Sequence, residues 1–174
     1  MRFSTILASV FLTIASAIVA QASDKKFFRD IQGKWSGPGE IVAGKYKGTK
    51  FVCTFDGDNP VEKAGMEVDG SCRVGVFAQP MSALILKAGG SYVGRFLDGE
   101  KGKGMDVTGG RYTKGRIVAD IKRNDLRGIM VANLSNPNSL RVTISVKHEG
   151  RLVPVIGMNL ARKTDNVVTG SVND

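Results

Sequence analysis

The single histidine of the sequence, His148, sets a first limit on the chemistry available to this chain. A metal site built from several histidines is excluded within one chain. His148 follows the alternating segment Leu140 to Val146 and continues the parity of its apolar residues. One interpretation places the side chain at the mouth of a barrel, where it binds an acidic ligand or titrates near neutral pH. The alternative is an ordinary histidine that flanks a turn.

A second polar group, Asp56, Asp58 and Asn59, has the clustered oxygens that a calcium ion prefers. Pro60 and the lack of a later glutamate break the usual loop pattern, so a solvated turn is the favoured interpretation. No carboxylate pair falls on an inward face, as glycoside hydrolysis requires. The glycine-rich segments do not lead into helices, so none resembles a phosphate-binding loop. The sequence therefore predicts no catalytic residue, no metal and no cofactor, and we expect a protein that is not an enzyme.

Cys53 and Cys72 are the two cysteines of the chain, and they are too far apart in sequence for the Cys-x-x-Cys of a thiol-redox site. Both fall on the apolar faces of consecutive predicted strands, where cross-strand side chains are close together. In an exported protein this arrangement predicts one structural disulfide. A pair of free thiols is the alternative.

The first residues have the pattern of a targeting segment. Arg2 provides a positive start, residues 6–20 are apolar apart from small serines and threonines, and Ala20-Gln21-Ala22 is a small-x-small cleavage site. The apolar run is shorter than the roughly 20 residues of a membrane-spanning helix. The sequence predicts a signal peptide at residues 1–22 and a mature protein, periplasmic or secreted, without a transmembrane segment.

Without residues 1–22, 152 of the 174 residues remain, which is enough for one domain with its own core. Glycines separate short segments in which apolar and polar side chains alternate. This alternation predicts an all-β fold at residues 23–162, an antiparallel up-and-down β-barrel of eight to ten strands that follows a short helical turn at residues 24–31. Residues 163–174 are polar and aperiodic, which predicts a flexible C-terminal tail.

The strand assignment rests on this alternation and on turn residues between the segments. Gly109 and Gly110 are assigned to a hairpin turn, and Leu152 and Pro154 to the inward face of the last strand. The predicted strands cover residues 34–43, 49–55, 66–77, 81–87, 91–98, 105–108, 111–122, 126–134, 139–147 and 152–160.

The stretch from Phe27 to Trp35, a short apolar turn that runs into Gly-x-Trp, resembles the start of the calycin superfamily, the lipocalins and their avidin-like relatives. In that superfamily an arginine near the end of the last strand packs over the tryptophan and bonds to the N-terminal turn. The resemblance gives this role to Arg162 and makes the Trp35–Arg162 pair the closure of a barrel. Two departures, the lack of a long helix after the barrel and the disulfide between early strands, leave two alternatives equally open: a smaller, avidin-like or otherwise reduced barrel, and a true lipocalin.

The function that the sequence favours is binding of a small or lipidic ligand inside the barrel, since a closed barrel of this size holds one small ligand. We expect an apolar interior, and within it Phe51, Phe55 and Tyr92, with His148 at the mouth, are the candidate ligand-binding residues. The predicted interior is lined by Phe51, Phe55, Met66, Val68, Tyr92 and Leu140.

The formal net charge of the sequence is +9, and removal of residues 1–22, which hold one arginine and no acid, lowers it by one. The field of a basic protein attracts anionic partners. The alternative function is therefore a structural or interaction protein of the cell envelope, with a filled barrel and a basic outer face that binds an anionic envelope polymer. Nucleic-acid binding is not favoured, because aromatic and basic residues interleave only around Tyr112.

Overall fold

The computed structural model describes residues 24–59, 64–97 and 104–164. The predicted signal peptide and residues 165–174 of the predicted tail lie outside the described residues. Helix α1 spans residues 24–30. The strands are β1 (Gly33–Ile41), β2 (Lys50–Asp58), β3 (Gly65–Val74), β4 (Phe77–Ala88), β5 (Ser91–Leu97), β6 (Met105–Thr113), β7 (Arg116–Arg123), β8 (Leu126–Asn136), β9 (Ser139–His148) and β10 (Arg151–Arg162).

Each strand pairs antiparallel with its neighbours in sequence, and β1 also pairs with β10. The described residues thus form a closed up-and-down barrel of ten strands, which confirms the predicted fold class at the upper end of its range. The alternation that predicted it is visible on β9, where Leu140 and Val142 are buried inside and Arg141 is exposed. Closure leaves no unpaired strand edge in such a barrel.

Helix α1 caps one end of the barrel, which we call the helix end; the other is the far end. Antiparallel up-and-down pairing places alternate connections at the same end. The connections that join β1 to β2, β3 to β4, β7 to β8 and β9 to β10 therefore lie together at the far end. No helix among the described residues has the length and apolar character of a membrane-spanning helix.

The connection between β6 and β7 differs from the prediction. Gly109 and Gly110 lie inside β6, beside a register shift that follows Val107, and the hairpin turn is formed by Lys114 and Gly115. Both turn residues have positive φ, 47° and 76°, as a two-residue turn that follows the twist of the sheet requires. Lysine at the first of these positions is not a usual turn signal, whereas Gly-Gly is. The predicted strand at residues 111–122 is therefore two strands.

Two further differences follow from local irregularity. The predicted strand at residues 66–77 ends earlier, at a turn of Gly75 and Val76. In β10 a register shift lies between Pro154 and Ile156, and it changes the parity of the residues before it. Leu152, predicted to face inward, pairs with Lys147 and is 51% exposed. Alternation assigns faces correctly only while the pairing stays regular.

Cys53 on β2 and Cys72 on β3 form the predicted disulfide. They lie directly opposite each other in the register, with Cα atoms 4.0 Å apart. Cys53 is fully buried inside the barrel. The bond thus joins two neighbouring strands on their inward face.

We predict that loss of the disulfide lowers the free energy of unfolding by about 3 kcal/mol, because the bond closes a loop that the unfolded chain would otherwise leave open. Chemical denaturation of the Cys53→Ala/Cys72→Ala variant measures this loss. Wild-type protein kept reduced is the control and should unfold at nearly the same denaturant concentration as the variant. Equal midpoints for oxidised and reduced wild type would contradict the prediction.

Candidate ligand cavity and its helical cap

The tryptophan of the Gly-x-Trp segment lies at the helix end, where the first and last strands meet. Trp35 on β1 is opposite Arg162 on β10, and the guanidinium carbon lies 4.3 Å from the centroid of the buried indole. The indole nitrogen donates a hydrogen bond of 2.8 Å to the carbonyl of Ile31. The indole nitrogen of Trp35 therefore has a hydrogen-bond acceptor, and the indole ring stacks against the guanidinium of Arg162.

The guanidinium of Arg162 also bonds to three backbone carbonyls. Its two terminal nitrogens donate to the carbonyls of Asp30 and Gln32, and its Nε donates to that of Pro137 at 2.9 Å. The last carbonyls of a helix have no partner within the helix and favour a nearby cation. Arg162 supplies both the hydrogen bonds and the charge at the end of α1.

The start of α1 is held by a second, buried polar group. The Asp24 carboxylate, 5% exposed, forms an ion pair with Lys87 on β4 and accepts a 2.8 Å hydrogen bond from the hydroxyl of Tyr92 on β5. A buried carboxylate is tolerated when it is paired in this way. Burial, and then the hydrogen bond to Asp24, raise the pKa of Tyr92 above its usual value.

Between these two anchors, α1 presents an aromatic face to the barrel interior. Phe28 packs edge-on against Tyr92 with ring centroids 5.9 Å apart, and Phe27 lies 5.7 Å from Tyr112. Ile31 continues this face one turn later and is also buried. Phe27 and Phe28 of the helix, together with Ile31 just after it, thus form the floor of the barrel interior.

Above this floor lies a cavity of about 160 Å³. Its surface is apolar throughout. The side chains that reach it from the barrel wall are mostly aliphatic, aromatic or methionine. The residues around it are Phe27, Phe28, Ile31, Trp35, Phe55, Gly57, Met66, Val68, Met81, Ser82, Ala83, Ile85, Phe96, Ile117, Met130, Ala132, Leu140, Val142, Ile144, Met158 and Leu160.

The structure separates the four candidate ligand-binding residues. Phe55 lines the cavity, whereas Phe51 packs against the core without reaching it. Tyr92 belongs to the polar anchor of the cap. His148 lies at the end of β9 with its side chain 74% exposed, 4.0 Å from the carboxylate of the adjacent Glu149, so it does not face the cavity.

Some residues of the cavity and its cap were not found from the sequence. Met130 on β8 is identified as an inward residue only once the strand pairing is known, whereas Met158 lies on the predicted inward face of β10. The Asp24–Lys87 pair has no sequence signal, because its two members are 63 positions apart and meet only when the cap docks. In residues 24–59, 64–97 and 104–164, no group of three or more His, Cys, Asp or Glu side chains is placed to hold a metal ion.

No family model matches this chain, and no curated protein matches it. Among solved structures, the crystal structure of Rv2717c from M. tuberculosis is similar, with a TM-score of 0.59 over 81% of this chain and 98% of that chain. The two share a fold. At 10% sequence identity the similarity extends to the fold alone, so kinship with the calycins stays a prediction from the Gly-x-Trp segment and Arg162.

We predict that Arg162→Lys lowers the free energy of unfolding by about 2–3 kcal/mol, because lysine keeps the charge but cannot bond to several carbonyls while lying flat over Trp35. Denaturant unfolding followed by the fluorescence of this single tryptophan measures the loss. Arg141→Lys, on the exposed face of β9, is the matched control and should unfold close to wild type. Equal losses in the two variants would contradict a special role for Arg162.

We predict that Tyr92 ionises only when the protein unfolds in alkali. Its pKa in the folded state is raised, whereas in the unfolded chain a tyrosine loses its proton near pH 10. The folded state therefore binds more protons, and the contribution of Tyr92 to stability, intact below about pH 10, falls as the pH rises further. Phenolate absorbance should show a phase that coincides with unfolding.

The variant Tyr92→Phe should reduce that phase, because it removes the buried phenol. Tyr46→Phe, at a ring that is 63% exposed, should leave the phase that coincides with unfolding unchanged. An unchanged phase in Tyr92→Phe would show that this tyrosine ionises in the folded protein.

Proposed function

We propose that this chain is an exported, non-enzymatic barrel that binds a small apolar molecule in its interior. The observation that carries the proposal is the apolar cavity of about 160 Å³ above the helical cap. A cavity with polar walls tends to hold water, whereas an apolar one of this size stays dry and takes up an apolar guest. Helix α1, which caps the helix end, excludes solvent there, so a guest would contact only the side chains around the cavity.

The volume limits the ligand. Dry cavities of about 150 Å³ accept benzene or xenon, so the cavity suits a molecule of similar size, or the end of a longer apolar chain that leaves toward the far end. Burial of six carbon groups at about 0.8 kcal/mol each gives roughly 5 kcal/mol. That corresponds to a dissociation constant of about 0.2 mM for a benzene-sized probe. Four methionines in the lining, which adapt their shape easily, favour a site that accepts related molecules.

Binding rather than catalysis is supported by the residues around the cavity. None of the residues that line it is a histidine, a carboxylate, a lysine or a cysteine, so the hydroxyl of Ser82 in the lining has no general base among them. General acid–base or nucleophilic chemistry needs such groups within hydrogen-bond reach of a substrate. The Cys53–Cys72 disulfide and the signal-peptide pattern of residues 1–22 support export to an oxidising compartment.

The contacts at the helix end support kinship with the calycins as part of the same proposal. A short helix enters the barrel, a Gly-x-Trp begins β1, and an arginine of the last strand lies over the tryptophan. These are the features that the sequence resemblance implies.

We predict that benzene binds in the cavity and shifts the methyl NMR signals of its methionines, Met66, Met81, Met130 and Met158. Ala83→Leu adds three carbons on the cavity wall and should weaken this binding about tenfold or more. Ala161→Leu makes the same change on the outer face of β10 and is the matched control. The wild-type titration should saturate with a dissociation constant in the range estimated above.

Native mass spectrometry of freshly purified protein would identify a natural ligand that remains bound. Benzene that leaves the methionine signals unchanged at saturating concentration, together with a filled interior in a crystal structure, would contradict the proposal. That result would favour the alternative function, a filled barrel that acts through its outer face.

A further inference from the structure

The exposed apolar side chains of the barrel are concentrated at the far end. Four segments at that end, residues 42–50, 73–78, 122–127 and 147–152, contain the connections described above, and we call them together the far rim. Of the ten exposed large hydrophobic side chains in the described part of the chain, seven lie in the far rim. They are Val42, Tyr46, Val74, Val76, Phe77, Leu126 and Leu152.

The tip of the β3–β4 hairpin is the most apolar part of this rim. Val76 is 83% exposed and Phe77 79% exposed, so both side chains lie almost wholly in solvent. The turn at Gly75 and Val76 places them at the end of the hairpin. Contiguous exposed apolar residues at one place on a protein indicate a surface that binds a partner or a membrane.

The same rim is strongly basic. It holds nine lysines and arginines against two acids, Asp125 and Glu149. All of the nine except Arg123 are exposed. They are Lys45, Lys47, Lys50, Arg73, Lys122, Arg123, Arg127, Lys147 and Arg151.

We propose that the far rim docks on an anionic lipid surface. Val76 and Phe77 insert between the head groups, and the surrounding lysines and arginines contact the negatively charged head groups. Peripheral membrane binding combines these two contributions, burial of apolar side chains at the head-group boundary and attraction of cations to anionic lipid. The charge of the rim is complementary to such a surface. The apolar tip has no comparable use against a soluble anionic polymer, for which the cations alone suffice.

The orientation follows from the fold. The far rim faces the lipid, and α1 closes the opposite end of the barrel. The inference does not depend on an occupied cavity, since every residue in the contact lies outside the cavity lining. If the interior also binds an apolar molecule, the lipid is a source of molecules that are poorly soluble in water.

Vesicle flotation tests the proposal with full-length mature protein. The probes are vesicles of phosphatidylcholine and equimolar mixtures of phosphatidylcholine and phosphatidylglycerol, at low and high salt. We expect binding to the mixed vesicles alone, weakened by salt because the charges are exposed. Val76→Ser/Phe77→Ser should weaken it about tenfold or more, and Lys147→Glu/Arg151→Glu by about fivefold or more for each charge reversed.

Two matched controls keep the test specific. Leu84→Ser/Val93→Ser removes two exposed apolar side chains from β4 and β5 outside the far rim. Arg111→Glu/Lys114→Glu reverses two exposed cations at the helix end. Both controls should bind mixed vesicles much more like wild type than the rim variants do.

A spectroscopic variant gives an independent readout. Phe77→Trp places an indole at the hairpin tip, and its emission should shift to shorter wavelength with mixed vesicles but not with phosphatidylcholine alone. Equal binding to both vesicle types, or an unshifted tip emission while the protein floats with lipid, would overturn the proposal. So would binding to soluble polyphosphate that is as tight as binding to lipid and unaffected by Val76→Ser/Phe77→Ser, which would assign the rim to a polymer. A dimer that dissociates in that variant would assign the tip to a second copy of the chain.

Discussion

The guanidinium of Arg162 connects the last strand to three places in the chain: the end of α1, the indole of Trp35 and the β8–β9 turn at Pro137. The last carbonyls of a helix have no partner within the helix, and a carbonyl that is shielded from water is costly if it stays unpaired. Arg162 removes that cost and at the same time covers the indole. Since it belongs to β10 and Trp35 to β1, the same contact reinforces the pairing that closes the barrel.

The cap depends on contacts at both ends of a very short helix. Seven residues are too few for a helix to be stable alone in water, so α1 is held by what it touches. Asp24 anchors its start to β4 and β5, and Arg162 anchors its end to β10. The phenylalanines between the anchors are thereby held against the barrel interior.

The two ends of the barrel differ in character for related reasons. At the helix end polar groups are buried and paired, and the aromatic rings of Phe27 and Phe28 face inward. At the far end Val76 and Phe77 point away from the core into solvent, among cations. A barrel sealed at one end and apolar at the rim of the other suits a protein that takes an apolar molecule from a lipid surface, which makes the two proposals compatible while each is tested separately.

The closure by Trp35 and Arg162 was predicted from the resemblance to the calycins, and the two residues lie opposite each other. Alternation in the sequence was sufficient for the class of fold and the Cys53–Cys72 pair, because each follows from a period of two or from residues on one face of regular strands. It was not sufficient where the pairing is irregular. The bulge in β10 turned Leu152 outward, and the turn at Lys114 divided one predicted strand into two.

The existence of the cavity could not be read from the sequence, because it depends on how far side chains from ten strands and the cap reach across the interior. Of the predicted lining residues, Phe55, Met66, Val68 and Leu140 line the cavity, whereas Phe51 and Tyr92 do not. The buried Asp24–Lys87 pair and the grouping of cations with Val76 and Phe77 also depend on which parts of the chain the closed barrel brings together. The sequence determined that inward faces are apolar and that the chain is basic. Only the tertiary structure decided which of those side chains meet, because closure of the barrel brings together residues whose separation along the chain carries no signal.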